Sequence, residues 1–150
     1  LKLFHNLPDV SAVLNSVSSK FDLSLARDKS LLSLLPGCNH SLDETLKRKE
    51  EVEKQLSEYL LEEKKRIACY KMKFAGGSKD PFLLEVPADF PSSSVPSYFE
   101  LHSANKSCRR YTTDRLQTLL HQLERAKEEA EDMQRSALRL LCCELDRSFP

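Results

Sequence analysis

The chain of 150 residues is long enough for one ordinary domain with a core, and its few glycines, lack of tryptophan and abundant leucine, glutamate, lysine and arginine favour helix. Its 23 basic and 23 acidic residues give a net charge of zero, so the chain as a whole does not attract nucleic acid. Nucleic-acid binding would therefore require basic residues that are clustered in one part of the chain. Such clustering exists, because residues 64–79 carry bases and no acid, whereas residues 80–100 carry acids and no lysine or arginine.

The five cysteines are odd in number and unpatterned, and several fall inside predicted helix, which favours a reducing compartment over a disulfide framework. No apolar run is long enough to cross a membrane, and no signal peptide is visible, so we expect no membrane partner and a cytosolic or nuclear location. Because the chain begins at Leu1 without a methionine, we expect it to be a piece of a larger chain.

Short elements come first in the chain. Leu7-Pro8-Asp9 opens a short amphipathic segment, since proline is favoured in the first turn of a helix, and residues 22–29 predict a second short helix. Residues 31–41 predict a connector with buried leucines, in which Pro36-Gly37 ends any helix.

The first long helix is predicted from a capping box at Ser41 and Glu44 to about Ile67. On its exposed side we expect ion pairs between residues four apart, Glu50 with Lys54 and Glu62 with Arg66. Its apolar residues form one stripe, made of Leu42, Leu46, Val52, Leu56, Leu60 and Ile67.

The stretch from Cys69 to Tyr111 predicts a small β-rich region. Residues 69–74 alternate, residues 82–86 form an apolar strand, and the glycine-containing turn between them predicts a hairpin. A loop rich in proline and serine follows, because proline is excluded from strand interiors. Residues 99–104 alternate weakly and are interrupted by the polar run 105–107, which predicts a strand, an exposed basic loop and a return strand.

The second long helix is predicted from Asp114 to about Leu145, since Thr112 and Thr113 offer capping hydroxyls and Asp114 a carboxylate in the first turn. Its apolar residues recur at heptad-like steps, at Leu116, Leu119, Leu123, Ala126, Ala130, Met133, Ala137, Leu140 and Leu141. The apolar stripes of the two long helices are too narrow to be buried separately, so we expect the helices to pack antiparallel, stripe against stripe.

The predicted fold is therefore mainly α with a small β-rich insertion at the tip of two long antiparallel helices, plus short N-terminal helices. The predicted divisions are residues 1–67, the outgoing helices, residues 68–112, the β-rich insertion, and residues 113–150, the return helix.

Two polar turns at the tip carry the strongest functional signal. Lysine, serine, asparagine and backbone N–H groups are what proteins use to bind phosphate without reading sequence. Ordinary solvated loops are the alternative interpretation. Arg109 or Arg110 could add charge, although strand alternation turns one of them inward to pair with an acid. The candidate phosphate-contacting residues in the two turns are Ser78, Lys79, Ser103, Asn105, Lys106 and Ser107.

Enzyme activity is not expected. Cys142-Cys143 lacks the spacing of zinc or redox sites, and Gly76-Gly77 lacks the spacing of a phosphate-binding loop. The histidines have no nucleophile or carboxylate at motif spacing; they are His5, His40, His102 and His121. The helical pair could instead form a coiled-coil module that binds another protein without DNA.

A family resemblance covers nearly the whole chain. The segment YFELHSANKSCRRYTTDRLQTLLHQLERAKEEA resembles the return from clamp to lever in the MutS family of DNA mismatch repair proteins. The outgoing lever of that family resembles two segments of this chain, LPDVSAVLNSVSSKFDLSLARDKSLL and LDETLKRKEEVEKQLSEYLLEEKKRI. LLEVPADFPSSSVPSYFELHS, followed by CRRYTT, is most similar to the eukaryotic mismatch-reading branch of that family or a plant paralogue of it.

The resemblance implies that residues 68–112 are a clamp that grips the backbone of double-stranded DNA, carried on a lever that joins it to a distant ATPase. The family's turn lysine matches Lys106, and the next polar residue matches Ser107. The basic residues that the family has at the strand end are here Leu101 and His102, so we include His102 in the site and expect weaker contact there.

The resemblance also implies a context for the segment. We expect no cofactor in this segment, ATP and magnesium in the parent protein, a second MutS homologue as partner, and a nuclear location.

Overall fold

The computed structural model describes residues 11–29, 33–75 and 82–148. Helix α1 spans Ser11–Lys20, α2 Leu23–Lys29, α3 His40–Arg66 and α4 Asp114–Ser148. Strand β1 spans Lys73–Phe74, β2 Leu84–Pro87, β3 Glu100–Ala104 and β4 Cys108–Thr112, with a 3₁₀ turn at Ser92–Ser94. In these ranges the protein is mainly helical with one small antiparallel sheet, which confirms the coarse fold class.

The chain groups into two compact units, one formed from Leu1–Leu46 with Glu128–Pro150 and the other from Lys47–Lys127. The predicted divisions after residues 67 and 112 remain predictions, as does antiparallel packing of α3 and α4 along their length. The predicted helix start at Leu7-Pro8-Asp9, Leu31 of the connector and most of the turn at residues 75–80 lie outside the described residues.

In the first unit, the end of α1 meets the connector through a short antiparallel bridge between Phe21 and Leu34. Asp22 caps α2, because its carboxylate accepts hydrogen bonds from the backbone N–H groups of Ser24 and Leu25 at 2.9 and 3.1 Å. Phe21 is buried, and Leu34 is half-buried. The connector therefore contributes apolar cover, although Leu34 and Leu35 are half-buried and not buried as the sequence predicted.

Helix α3 begins two residues earlier than the capping box predicted. The Asn39 side-chain oxygen accepts the Leu42 N–H at 3.1 Å, so Asn39 is the N-cap and Ser41 lies inside the first turn. Asp43 reaches back to the N–H of Gly37 at 2.8 Å, and Gly37 has φ +88°, which glycine tolerates best. The capping box at Ser41 was wrong because an asparagine two residues upstream offers a better placed acceptor.

The other end of α3 closes in a Schellman motif. The N–H of Cys69 donates to the carbonyl of Lys64 at 3.0 Å, and the N–H of Ala68 donates to Lys65 at 3.3 Å. Ala68 has φ +53°, a left-handed conformation that glycine usually occupies at this position. Helix α3 therefore ends at a fixed point and turns the chain into the sheet.

The sheet has strand order β1-β2-β4-β3, with all neighbours antiparallel. Two predicted strands are shorter than expected: β1 starts at Lys73 instead of Cys69, because only two residues pair with β2, and β2 starts at Leu84. Pro87, predicted to be loop, is the last residue of β2 and faces Cys108 across the ladder. A proline is tolerated there because a strand end needs fewer ladder hydrogen bonds.

The core of the second unit joins both long helices to one face of the sheet. The buried residues of this cluster come from α3, the sheet and its connections, and α4, namely Val52, Leu56, Tyr59, Ile67, Cys69, Met72, Leu84, Val86, Phe99, Tyr111, Leu116, Leu119 and Leu123. Two residues of the predicted stripes, both in the first unit, are exposed: Leu46 of α3 at 40% and Leu140 of α4 at 67%. The stripe prediction was thus correct in its central part and wrong at these two positions.

Candidate nucleic-acid interface

The turn between β3 and β4, residues 105–107, is organised by one side chain. The Oδ1 atom of Asn105 accepts hydrogen bonds from the Ser107 N–H at 2.9 Å, the Ser107 hydroxyl at 3.0 Å and the Cys108 N–H at 2.7 Å. The Asn105 N–H in turn donates to the Cys108 carbonyl at 2.9 Å. An asparagine side chain that accepts hydrogen bonds from the backbone of the residues that follow it holds the turn in one conformation.

Lys106 lies at the tip of this turn and is exposed. No carboxylate among the described residues forms an ion pair with it, so its full charge faces solvent. Ser103 and Ser107 are exposed beside it, although the Ser107 hydroxyl is already engaged with Asn105. The polar residues predicted at 103–107 therefore lie together in one hairpin, where Lys106 has no ion pair with a carboxylate of the described residues.

His102 lies in strand β3 at an irregularity of the ladder, since the register shifts between Leu101 and Ser103. Every residue of β3 is exposed, including Leu101 at 60%. A bulge in an edge strand twists the strand and discourages pairing with another chain. Ser78 and Lys79 of the second predicted turn lie outside the described residues.

Two arginines of β4 have different partners. Arg110 pairs with Glu85 at 3.2 Å, and Lys73 approaches the same carboxylate at 3.4 Å. One arginine of the pair therefore meets an acid, but it is Arg110, whose side chain is 39% exposed, and not an arginine turned inward as the sequence predicted. Burial raises the pKa of Glu85, but hydrogen bonds from Arg110, Cys108 and Lys73 outweigh it, so the pKa lies below its ordinary value.

Arg109 instead donates hydrogen bonds to the backbone carbonyl of Phe90 and to the hydroxyl of Ser92. Its Nε atom is buried without a hydrogen-bond partner among the described residues. The pair Ser92 and Arg109 was missed by sequence reasoning, because the two residues lie 17 positions apart and only the folded loop brings them together.

Polar side chains connect the β-rich region to α3 and α4. The Tyr59 hydroxyl lies 2.7 Å from the Thr113 hydroxyl, which also caps α4 by accepting the Leu116 N–H at 3.2 Å. Thr113 is therefore the N-cap that the sequence predicted, whereas Thr112 belongs to β4. Burial raises the pKa of Tyr59 despite the hydrogen bond with Thr113.

A buried carboxylate forms the second such contact. The side chain of Glu63 is 1% exposed and accepts hydrogen bonds from Arg66 at 3.1 Å and from the Tyr98 hydroxyl at 2.8 Å. Arg66 also donates to the Tyr98 hydroxyl at 3.0 Å, which closes a triangle. Glu63 falls four residues after the buried Tyr59 and so shares its face of α3, although neither residue was in the predicted stripe.

The ion pairs predicted on α3 differ from those observed. Glu62 pairs with Arg115 of α4 at 3.0 Å, and Lys54 pairs with Glu58 at 3.9 Å. The pair of Glu62 with Arg66 was wrong for a tertiary reason, since Arg66 is drawn to the buried Glu63 and Glu62 meets another helix. The pair of Glu50 with Lys54 was wrong because Lys54 pairs with Glu58, one turn further along the same helix.

Over the described ranges there is no cluster of three histidine, cysteine, aspartate or glutamate side chains that could hold a metal ion. Nor does any helix in those ranges have the length and apolar character needed to cross a membrane.

Residues 37–129 match the family model described as MutS family domain IV. The chain therefore belongs to the MutS family, which confirms the predicted resemblance. Within that family it is an Msh6-like segment. Domain IV is not the ATPase domain of these proteins.

Three relatives illustrate the similarity. The chain is 30% identical to the human DNA mismatch repair protein Msh6 over 95% of its residues, and 32% identical to Arabidopsis thaliana MSH6 over 87%. It is 24% identical to Saccharomyces cerevisiae MSH6 over 89%. The matched regions cover 10–11% of these relatives, so the chain spans about a tenth of their length.

Proposed function

We propose that this chain is a non-catalytic, sequence-independent binder of the DNA backbone, acting as the clamp and lever segment of a mismatch repair ATPase. The observation that carries the proposal is the turn at residues 105–107, in which Asn105 fixes the backbone and Lys106 presents an unneutralised charge. Membership of the MutS family supports the same role, since the relatives are named as DNA mismatch repair proteins.

The chemistry of the turn favours phosphates over bases. A single ammonium group with neighbouring hydroxyls satisfies a phosphate oxygen at any sequence, whereas base reading requires several side chains aligned along a groove. Each phosphate contact contributes about −0.9 to the slope of log affinity against log salt concentration. With one lysine in the turn at residues 105–107 and zero net charge on the chain, binding is weak and fades as salt rises.

The proposal extends to the whole protein. ATP and magnesium bind in another part of the parent, the partner is a second MutS homologue whose clamp lies on the same duplex, and the parent acts in the nucleus. The family match and the Msh6 relatives support this context, and the segment itself supplies positioning without a cofactor.

Fluorescence anisotropy of labelled matched and mismatched duplexes, over a salt series, tests the proposal. We expect equal, weak and steeply salt-dependent affinity for both duplexes. Lys106→Glu lowers that affinity at low salt and reduces the salt slope by about 0.9 or more. The control is Lys127→Glu, an exposed lysine of α4 that makes the same change in net charge about 20 Å along the helix from Asp114.

Equal losses in the two lysine variants would mean that net charge, not the turn, governs binding. A strong preference for the mismatched duplex would also refute the proposal, because a backbone contact does not distinguish the two. Circular dichroism of both variants confirms that helicity is retained.

A second candidate function is a helical module that binds a protein. The exposed Leu140 favours it, because this residue occupies a heptad position of α4 and is 67% exposed. Leu140→Glu distinguishes the two functions: it abolishes association with a partner protein in the second and leaves DNA affinity unchanged in the first.

A further inference from the structure

We propose that Ser92 is a phosphorylation site whose phosphate is held by Arg109 and weakens DNA binding at the neighbouring turn. The effect on DNA rests on the proposed function, whereas the phosphate site itself does not.

The acceptor is accessible. Ser92, Ser93 and Ser94 form a 3₁₀ turn in which all three residues are exposed. The turn lies between Pro91 and Val95, both of extended conformation, and none of its residues is buried. A kinase needs such an exposed local segment to reach a hydroxyl.

The receptor for the phosphate is already in place. Arg109 contacts the Ser92 hydroxyl and the Phe90 carbonyl, and among the described residues no carboxylate neutralises it. Its Nε–H is buried and unsatisfied. A guanidinium binds a phosphate with two parallel hydrogen bonds, which are stronger than its present bonds to neutral oxygens. Among the described residues this guanidinium donates hydrogen bonds to Ser92 and Phe90 and not to Ser93 or Ser94, which singles out Ser92.

The same loop adjoins the candidate interface. The N–H of Ala88 donates to the carbonyl of Ser107 at 3.0 Å, so the segment that leads to Ser92 is tied to the turn that carries Lys106. Arg109 follows Lys106 by three residues along the same hairpin. A phosphate carries a charge of about −1.5 to −2 and would repel DNA from this side of the sheet while occupying Arg109.

The reaction requires a nucleoside triphosphate and a serine kinase. The Ser92 oxygen attacks the γ-phosphorus of ATP, a new O–P bond forms, and the bond from that phosphorus to the bridging oxygen of the diphosphate breaks. The hydroxyl proton passes to the base of the kinase, and ADP leaves. Hydrolysis by a phosphatase restores the serine.

The first test is a comparison of two phosphorylated chains, made with phosphoserine at position 92 or, as control, at position 93. Phosphorus NMR over a pH series follows the second ionisation of each phosphate, whose ordinary pKa is about 6. We expect the phosphate at 92 to ionise at lower pH than the one at 93, because Arg109 favours its dianion. Arg109→Gln should abolish the difference. Identical titrations in the unsubstituted chain would overturn the proposal, whether or not the arginine variant folds.

The second test measures DNA affinity of the same two chains by anisotropy at low salt. Phosphate at 92 should weaken binding about tenfold, since it adds negative charge and neutralises Arg109, and the loss should exceed that of phosphate at 93. An equal loss in both chains would overturn the switch. If the unmodified chain binds no DNA, the proposed function fails, while the titration still decides the phosphate site.

The third test asks whether Ser92 accepts phosphate in the folded protein. The chain is incubated with ATP and a eukaryotic nuclear extract, and peptide mass mapping locates the phosphate. Modification at 92, lost in Ser92→Ala, supports the proposal, and modification confined to other serines refutes it.

Discussion

The buried carboxylate of Glu63 offers the sharpest test of how the sheet is held on the helices. Tyr98→Phe removes the hydroxyl that donates to Glu63 at 2.8 Å and leaves the ring in place. Hydrogen bonds to charged groups contribute about 1.5–3 kcal/mol. Because Tyr98 is 43% exposed, water can replace part of the lost contact, so we expect the free energy of unfolding to fall by about 1.5 kcal/mol.

Urea and thermal denaturation followed by circular dichroism measure this change. For a chain of this size, a loss of about 1.5 kcal/mol lowers Tm by about 3–6 °C. The matched control is Tyr70→Phe, which deletes the same hydroxyl from a side chain that is 76% exposed and should change stability by less than about 0.5 kcal/mol.

A double-mutant cycle measures how much the negative charge of Glu63 contributes to its hydrogen bond with Tyr98. In a Glu63→Gln background the Tyr98 hydroxyl meets a neutral amide, so its removal should cost about 1 kcal/mol less than in the wild type. If Tyr98→Phe and Tyr70→Phe lose equal stability, or if the two losses at Glu63 and Tyr98 simply add, the network does not hold the sheet and our reasoning is wrong.

Two further changes test other parts of the second unit. Ala68→Gly should raise the free energy of unfolding, measured by urea denaturation, by about 0.5–1 kcal/mol, because glycine adopts a positive φ without strain. The control is Ala88→Gly, which lies in an exposed turn, has no positive φ and should lower the stability slightly. The pKa of Glu85 is depressed, so its stabilisation is complete above the ordinary value of 4.5 and is lost as pH falls through the lower folded value. The stability difference between wild type and Glu85→Gln should therefore shrink below pH 4.5, and the difference for the exposed Glu124→Gln should stay near zero throughout.

The local parts of this fold could be predicted from sequence because their causes are local. Thr113 and Asp114 mark the start of α4, and the polar run at residues 105–107 marks the turn of a hairpin, so both were found. The start of α3 was misplaced because Asn39 and Ser41 are both good caps, and only the geometry decides between them. Strand ends were missed because pairing, not composition, ends a strand.

The candidate site likewise contains features that local sequence predicts and contacts that it does not. Lys106 could be predicted because an exposed turn needs only short-range signals. The partners of Tyr98 and Arg109 could not, since Tyr98 meets Glu63 across 35 positions and Arg109 meets Ser92 across 17. Such contacts depend on how the loop at residues 88–99 folds over the sheet, and neither periodicity nor charge along the chain specifies that path.

In the proposed function, the distribution of charge around the sheet gives a reason for a second clamp on the same duplex. Lys73 and Arg110 share the carboxylate of Glu85, and Arg109 is directed to the loop, so in the described part of the sheet Lys106 is the lysine left free of an acid. One or two phosphate contacts produce a salt slope of only about −1 to −2, too shallow for tight binding at physiological salt. If a partner clamp doubles the contacts on one duplex, the effective concentration of the second site raises affinity without any new chemistry. Measured slopes for this chain alone and for the full assembly should therefore differ by about twofold, and equal slopes would show that a single clamp carries the contact.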